Sequence, residues 1–386
     1  MRVLFSCVPG FGHFHPMVPL AQGLAVAGHD VAFATAERFC RRVVAPTGFK
    51  AFSAGPSPAW VYEETVSRSG AAGVGEEDVW GFGAHMFADV AAAAKIADLA
   101  RITDEWSPDL VVHDMTDFAA PVAAADAGIP WAGQSFGALQ PFDFWEPAAE
   151  LVAPLWRRQN VEPLPLGGMF HHLYLDICPP SFQASWIDRV ATARPLRPVP
   201  FDTSAGGRLP LWVRQLPEAP TVYVTLGTIM NQVGGVFEAV LEGLSAEPYN
   251  VIVTVGPDRD PAELGPQPEN VHVESYLPQS LLFPHCDLVL CHGGSGTTLA
   301  ALAHGLPLLV LPQGANQFWN AERCAELGVG AWLPESDLDP EEVRASVARL
   351  LAAGDYRRRA RDLQREIDRM PGPAQVVDEL EELAAK

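Results

Sequence analysis

The chain has 386 residues, 48% of them hydrophobic, and sets 47 acidic side chains against 26 basic ones for a formal net charge of −21. That length exceeds one ordinary core and predicts two domains. The acidic balance weighs against nucleic acid and anionic membranes as partners, and any bound anion must be held locally by amides and neutral donors.

Six cysteines, at 7, 40, 178, 286, 291 and 324, form no C-x-x-C pair, and several lie in apolar runs. They read as buried reduced thiols of a cytoplasmic protein, not as a disulfide or zinc framework. The first apolar run breaks at Pro9-Gly10, too short for a signal segment, and no apolar run approaches the length of a membrane span.

In chain order, residues 2–8 (RVLFSCV) predict a strand, 9–16 (PGFGHFHP) a loop, 17–28 a helix and 29–35 a second strand. Residues 55–105 read as irregular or helical and hold Trp60, Phe82 and Met86. The strand–helix alternation returns as a strand at 108–114 (PDLVVHD), a helix at 118–128 and a strand at 129–136. Residues 194–220 are dense in proline and glycine and predict a domain linker. The pattern restarts with a strand at 221–228, a helix at 236–245, strands at 249–256 and 271–278, a short helix at 280–286 and a strand at 287–291. A helix at 297–305 and a strand at 307–312 follow. Asp339, Pro340 and Glu342 mark the start of a helix to 352, and a charged helix closes the chain. Such alternation predicts an α/β protein with two doubly wound, Rossmann-like domains facing across a cleft, with ligands at the carboxyl ends of the strands. The expected division is 1–205, a linker at 206–220, and 221–386, with the last helix free to pack back on the first domain.

Three stretches carry chemistry. "CHGGSGTT" at 291–298 turns from strand to helix, where free backbone N–H groups and the helix dipole hold phosphates, with His292, Ser295, Thr297 and Thr298 as side-chain donors. "VTLGT" at 224–228 is a second such turn, offering Thr225, Gly227 and Thr228 to the same diphosphate. "PGFGHFHP" carries His13 and His15 after the first strand, where one histidine suits a general base. Asp114 ends a strand of the same domain and is placed to accept that histidine's other N–H, whereas His113 points to the opposite face. The strings Asp258-Arg259-Asp260 and Asp337-Leu338-Asp339 lack partners at metal spacing and read as solvated loops.

The set "GHFHP", "DLVVHD", "YLPQ" at 276–279, "CHGGSGTT" and "PQGANQ" at 312–317 resembles the GT-B glycosyltransferases of glycosyltransferase family one. It is most similar to the actinomycete enzymes that decorate enediyne, macrolide and other polyketide natural products. The resemblance spans the chain. It implies His13 as the base, Asp114 as its partner, and Tyr276, Leu277 and Gln279 beside the nucleobase. It also implies a diphosphate clamp of His292, Gly293, Gly294, Ser295, Gly296 and Thr297. Asn316 and Gln317 would contact the sugar, Asn316 standing where relatives carry an aspartate. The acceptor would lie on the first domain, against Trp60, Phe82, Met86, Phe136, Phe142 and Trp145, with Phe144, Phe170 and Tyr174 nearby.

The expected activity is inverting transfer of a sugar from a dTDP-sugar to a hydroxyl of an apolar aglycone, without metal or bound cofactor, in a site that closes to exclude water. Ala300 stands where UDP-using relatives place a ribose-binding glutamate, which favours dTDP over UDP. The rival readings are a UDP-sugar transferase, a nucleotide-sugar epimerase on the same scaffold, and an inactive sugar- or nucleotide-binding protein. The expected partners are a nucleotide sugar and an apolar small molecule, with no nucleic acid and no membrane; a homodimer is left open.

Overall fold

A computed structural model of the chain describes residues 1–69, 79–202, 208–227, 235–256 and 259–386. The chain divides into two compact units. The first comprises residues 1–178, 183–201 and 370–386, and the second 179–182 and 202–369.

The first unit is built on strands β1 (Arg2–Ser6), β2 (Asp30–Thr35), β3 (Lys50–Ser53), β4 (Leu110–Asp114), β5 (Trp131–Gln134), β6 (Leu173–Asp176) and β7 (Ala193–Pro195). They lie in the order β3-β2-β1-β4-β5-β6-β7, all parallel. The second unit holds β8 (Thr221–Thr225), β9 (Asn250–Thr254), β10 (Val271–Glu274), β11 (Leu288–Cys291), β12 (Leu308–Val310) and β13 (Gly330–Trp332). Their order is β10-β9-β8-β11-β12-β13, again all parallel. Central strands are buried along their length and largely apolar, as helices on both faces require.

In each sheet the strand order reverses direction once, between β1 and β4 and between β8 and β11. Adjacent loops there leave toward opposite faces and open a crevice at the carboxyl ends. The candidate histidines follow β1 and β11, so topology sets both at a switch point.

Several elements differ from expectation. β3, β6, β7 and β13 are three or four residues long, too short for their period to register in the sequence. Residues 9–16, expected as a loop, are largely helical: Phe11–Phe14 and the tight turn His15–Met17 run into the helix Val18–Val26. Pro16 supplies a helix-compatible φ at the start of that turn, which explains the continuation. The helix Phe142–Arg158 forms despite internal Pro147 and Pro154, because Phe144, Trp145, Ala148, Val152, Leu155 and Trp156 make one buried face. The helix Gly354–Arg369 hides a narrow stripe of Ala360, Leu363 and Ile367 in an otherwise charged run. All six cysteines are buried.

Candidate active site

In the first unit, His13 and Asp114 meet across 101 residues of chain, with Nδ1 3.3 Å from Oδ1. Asp114 is 1% exposed and the His13 side chain 20%. Thr116, two residues past the strand end, completes the group. Its hydroxyl and its backbone N–H each donate to Asp114 Oδ1 at 2.7 Å. With its hydrogen so used, Thr116 Oγ1 faces His13 Nδ1 at 3.2 Å as an acceptor. Val8 N–H donates to the other carboxylate oxygen at 2.7 Å. Burial would raise the Asp114 carboxyl, but the His13 ring, the Thr116 hydroxyl and the Val8 N–H outweigh it and hold the carboxyl below its ordinary range. A charged carboxylate and a hydroxyl lone pair both select a proton on Nδ1, which leaves Nε2 as the basic nitrogen.

The neighbouring histidines do different work. His113 is fully buried, donates from Nδ1 to the Asp114 carbonyl at 2.8 Å, and has its pKa lowered by burial. His15 packs its ring among Phe11, Phe14 and Phe201. Gln134 Nε2 donates to Pro16 O at 2.7 Å, which pins the turn carrying His13 and His15 to the end of β5.

Of the expected acceptor side chains, Phe136 packs edge-on against the His13 ring with centroids 4.6 Å apart. Phe87, which the sequence did not single out for the site, lies 6.0 Å from the same ring on a π-helical segment, His85–Ala91. Met86 and Phe142 are half-buried, and Trp60 is exposed. Phe82 is nearly covered. Trp145 is fully buried and donates from Nε1 to Gln140 O, and Phe144 and Tyr174 join it in the core.

In the second unit the helix Ser295–Ala303 begins two residues earlier than its pattern suggests. Ser295, Gly296 and Thr297 therefore form its first turn, and no side chain caps it. His292 sits before this turn between two glycines. A Cβ on Gly227 would lie 2.6 Å from its Cε1, and one on Gly294 would lie 2.5 Å from its Nε2. Among the described residues its buried Nδ1 has no partner. Burial holds the ring down to about 4, so it is neutral near pH 7 and serves as a hydrogen-bonding group. Ser295 Oγ accepts from Asn316 Nδ2 at 2.9 Å and from Asn320 Nδ2 at 3.2 Å. Those two bonds use the oxygen as acceptor, so the serine's own hydrogen is available to donate. Thr298 is fully buried, and Ala300 is 5% exposed.

The remaining donor-side residues are placed as follows. Thr225 is buried, and its Oγ1 accepts from Gly227 N at 3.3 Å. Thr228 and Asp258 lie outside the described residues. Gln317 is 5% exposed and turns its Oε1 back onto the amides of Gln313 and Gly314. Tyr276 presents a 41% exposed side chain, while Leu277 is buried. Gln279 donates inward to Tyr223 OH at 3.2 Å. Asp202 accepts from the amides of Gln279 and Ser280 and lies 3.4 Å from Tyr276 OH. Asp339 caps its helix through Glu342 N, and Asp260 accepts from Ala262 N, so both are local caps.

Sequence reading missed Thr116, Asp202 and Asn320. Asn320, 1% exposed, holds Gly293 O at 2.7 Å as well as Ser295. Its signal was available, since it stands one helical turn after Asn316 on the same face.

Known structures are similar to this chain over its whole length. The glycosyltransferase SnogD from Streptomyces nogalater is 32% identical with a TM-score of 0.79, over 100% of this chain and 99% of its own. Spinosyn rhamnosyltransferase SpnG, complexed with thymidine diphosphate, is 28% identical with a TM-score of 0.83, over 99% of this chain and 100% of its own. The same enzyme complexed with spinosyn aglycone gives 28% and 0.84. The fold is that of the GT-B glycosyltransferases, and the protein is an enzyme of that class. Models of the N-terminal and C-terminal domains of the erythromycin biosynthesis protein CIII-like family match residues 22–227 and 238–383. L-demethylnoviosyl transferase from Streptomyces niveus is 33% identical over 387 residues, covering 98% of this chain and 97% of that one. The chain belongs to this family of natural-product glycosyltransferases. Among the described residues, no helix is long and apolar enough to cross a membrane.

Proposed function

We propose that the protein transfers a sugar from a dTDP-sugar to a hydroxyl of an apolar natural-product aglycone, with inversion and without a metal ion. The observation that carries this is the His13 group. Asp114 and Thr116 both claim the Nδ1 proton, so Nε2 is left as a base at the carboxyl end of β1.

The acceptor hydroxyl gives its proton to Nε2 as its oxygen attacks the anomeric carbon. The bond from that carbon to the diphosphate oxygen breaks on the opposite face, and its electron pair leaves with the diphosphate. The first turn of the helix Ser295–Ala303 meets that growing charge with uncapped amides, aided by the neutral His292 ring and the Ser295 hydroxyl. Base and phosphate turn lie on different units, so the reaction requires both. Phe136 and Phe87 beside His13 suit an apolar acceptor. The complexes of SpnG with thymidine diphosphate and with spinosyn aglycone support a donor and an acceptor of these kinds.

The test is turnover of dTDP-sugars against a panel of polyphenolic and macrolide acceptors, with the anomeric configuration of donor and product read by NMR. Retention of configuration, or equal turnover by His13→Ala, would overturn the reading.

A further inference from the structure

We propose that Lys95 is a positioning residue for the His13 base, acting through one peptide group of β1's end and one side chain of the turn after β4. It rests on the assignment of His13 as base and extends it to a residue that touches no reacting atom.

Lys95 lies on the helix Ala92–Trp106 and is 6% exposed. Its Nζ meets three acceptors: Asp117 Oδ2 at 2.7 Å, Cys7 O at 2.9 Å and Ala34 O at 3.3 Å. An ammonium has three hydrogens, so its bonding capacity is filled and its place is set. These acceptors sit at the carboxyl ends of β1 and β2 and on the turn after β4.

The Cys7 acceptor matters most. The Cys7 carbonyl and the Val8 N–H belong to one planar peptide unit. On one edge that unit accepts from Lys95, and on the other it donates to Asp114 Oδ2 at 2.7 Å. A cation on the carbonyl strengthens the N–H at the far end, because hydrogen bonds in series polarise one another. Lys95 thus fixes the plane from which Asp114 is held, and sharpens the donor that holds it.

The second arm runs through Asp117. Its carboxylate accepts from Lys95 and from Ser6 Oγ, both at 2.7 Å, and its backbone N–H donates to Asp114 O at 3.1 Å. The two arms form a closed ring: Lys95, the Cys7–Val8 peptide, Asp114, Asp117, and back to Lys95. Thr116, which shares the His13 Nδ1 proton, is held within this ring's turn. A buried ion pair contributes little net stability compared with apolar packing of the same volume. Stability therefore does not account for a lysine here, whereas holding Asp114 and Thr116 to the His13 ring does.

The test compares wild type with Lys95→Met and with Lys95→Met/Asp117→Asn, which removes both charges. Thermal melting and dTDP affinity report folding, kcat and KM report transfer, and ¹⁵N NMR of His13, assigned with His13→Ala, reports its tautomer. We expect kcat to fall roughly 10–100-fold in both variants, with KM for donor and acceptor near wild type. The double variant should regain much of any lost melting temperature without regaining kcat. His13 should move from a single Nδ1–H form to a mixture. Wild-type kcat in either variant, an unchanged His13 spectrum, or recovery of kcat together with melting temperature in the double variant would overturn the proposal. A fully active His13→Ala would remove the base assignment itself, and needs no Lys95 variant to be seen.

Discussion

Thr116 Oγ1 stands 3.2 Å from His13 Nδ1 while its hydroxyl donates to Asp114 Oδ1 at 2.7 Å. The His13 ring therefore has two orienting partners, and they are themselves bonded. Thr116→Val keeps the shape and removes both contacts. Losing one net hydrogen bond of about 1 kcal/mol predicts a kcat roughly five- to tenfold lower, with Thr116→Ser close to wild type. Equal rates for threonine and valine would show that Asp114 alone orients the ring.

His13→Ala should lower transfer by on the order of 10²–10⁴, the range of a lost general base. Nucleotide binding, proposed here for the other unit, should be nearly intact by calorimetry. His15→Ala should cost far less, since the His15 ring packs among Phe11, Phe14 and Phe201 rather than beside Asp114. A dead His15→Ala beside an active His13→Ala would reverse the assignment.

Transfer should be unchanged in EDTA and gain nothing from Mg²⁺ or Mn²⁺. Among the described residues, no three His, Cys, Asp or Glu side chains gather where they could hold a metal ion. On the proposed reading the amides of the Ser295 turn would receive the leaving charge. Activity lost in EDTA and restored by either ion would refute this.

The His292 cradle makes a steric and an electrostatic prediction. Gly294→Ala would set a methyl 2.5 Å from Nε2, so the ring must shift, and dTDP should bind at least about tenfold more weakly, the equivalent of one or two lost hydrogen bonds. The ring's pKa of about 4 in the folded chain lies below its unfolded value near 6.5. Between those values the unfolded chain binds more protons, so His292 contributes a loss of stability as pH falls from about 6.5 toward 4. The stability difference between wild type and His292→Asn in denaturant melts should be constant above that window and shift within it, with the wild type falling faster as the pH drops.

The resemblance sets Ala300 where UDP-using relatives place a glutamate that grips the ribose 2′-hydroxyl. A buried hydroxyl left without a partner costs about 1–3 kcal/mol, so dTDP should bind the wild type more tightly than UDP. Ala300→Glu should narrow or reverse that preference. The position is 5% exposed, so the new side chain must extend along the helix to reach solvent or ligand. Equal affinities in both proteins would remove the argument.

Much of the site's chemistry was legible in single stretches. The strand–helix alternation announced two parallel sheets because a strand's burial on both faces leaves an apolar run that neighbouring residues suffice to show. The glycine-rich turn at 292–297 was legible for the same reason, since its amides, glycines and helix start lie within a few positions. Short strands such as β7 and the proline-bearing helix Phe142–Arg158 were not, because only packing distinguishes them from loop.

Local pattern by itself determined which residue types stand at the ends of β1, β4, β8 and β11, and with them the chemistry the chain can attempt. Tertiary structure decided which of those residues act together. Val8 reaches Asp114 across 106 positions and Lys95 reaches Cys7 across 88, and no sequence period encodes such pairings. It decided that Trp145 is core while Phe136 lies against His13. It also decided that His292 is neutral, because the energy of a charge depends on how much water the rest of the fold removes from it.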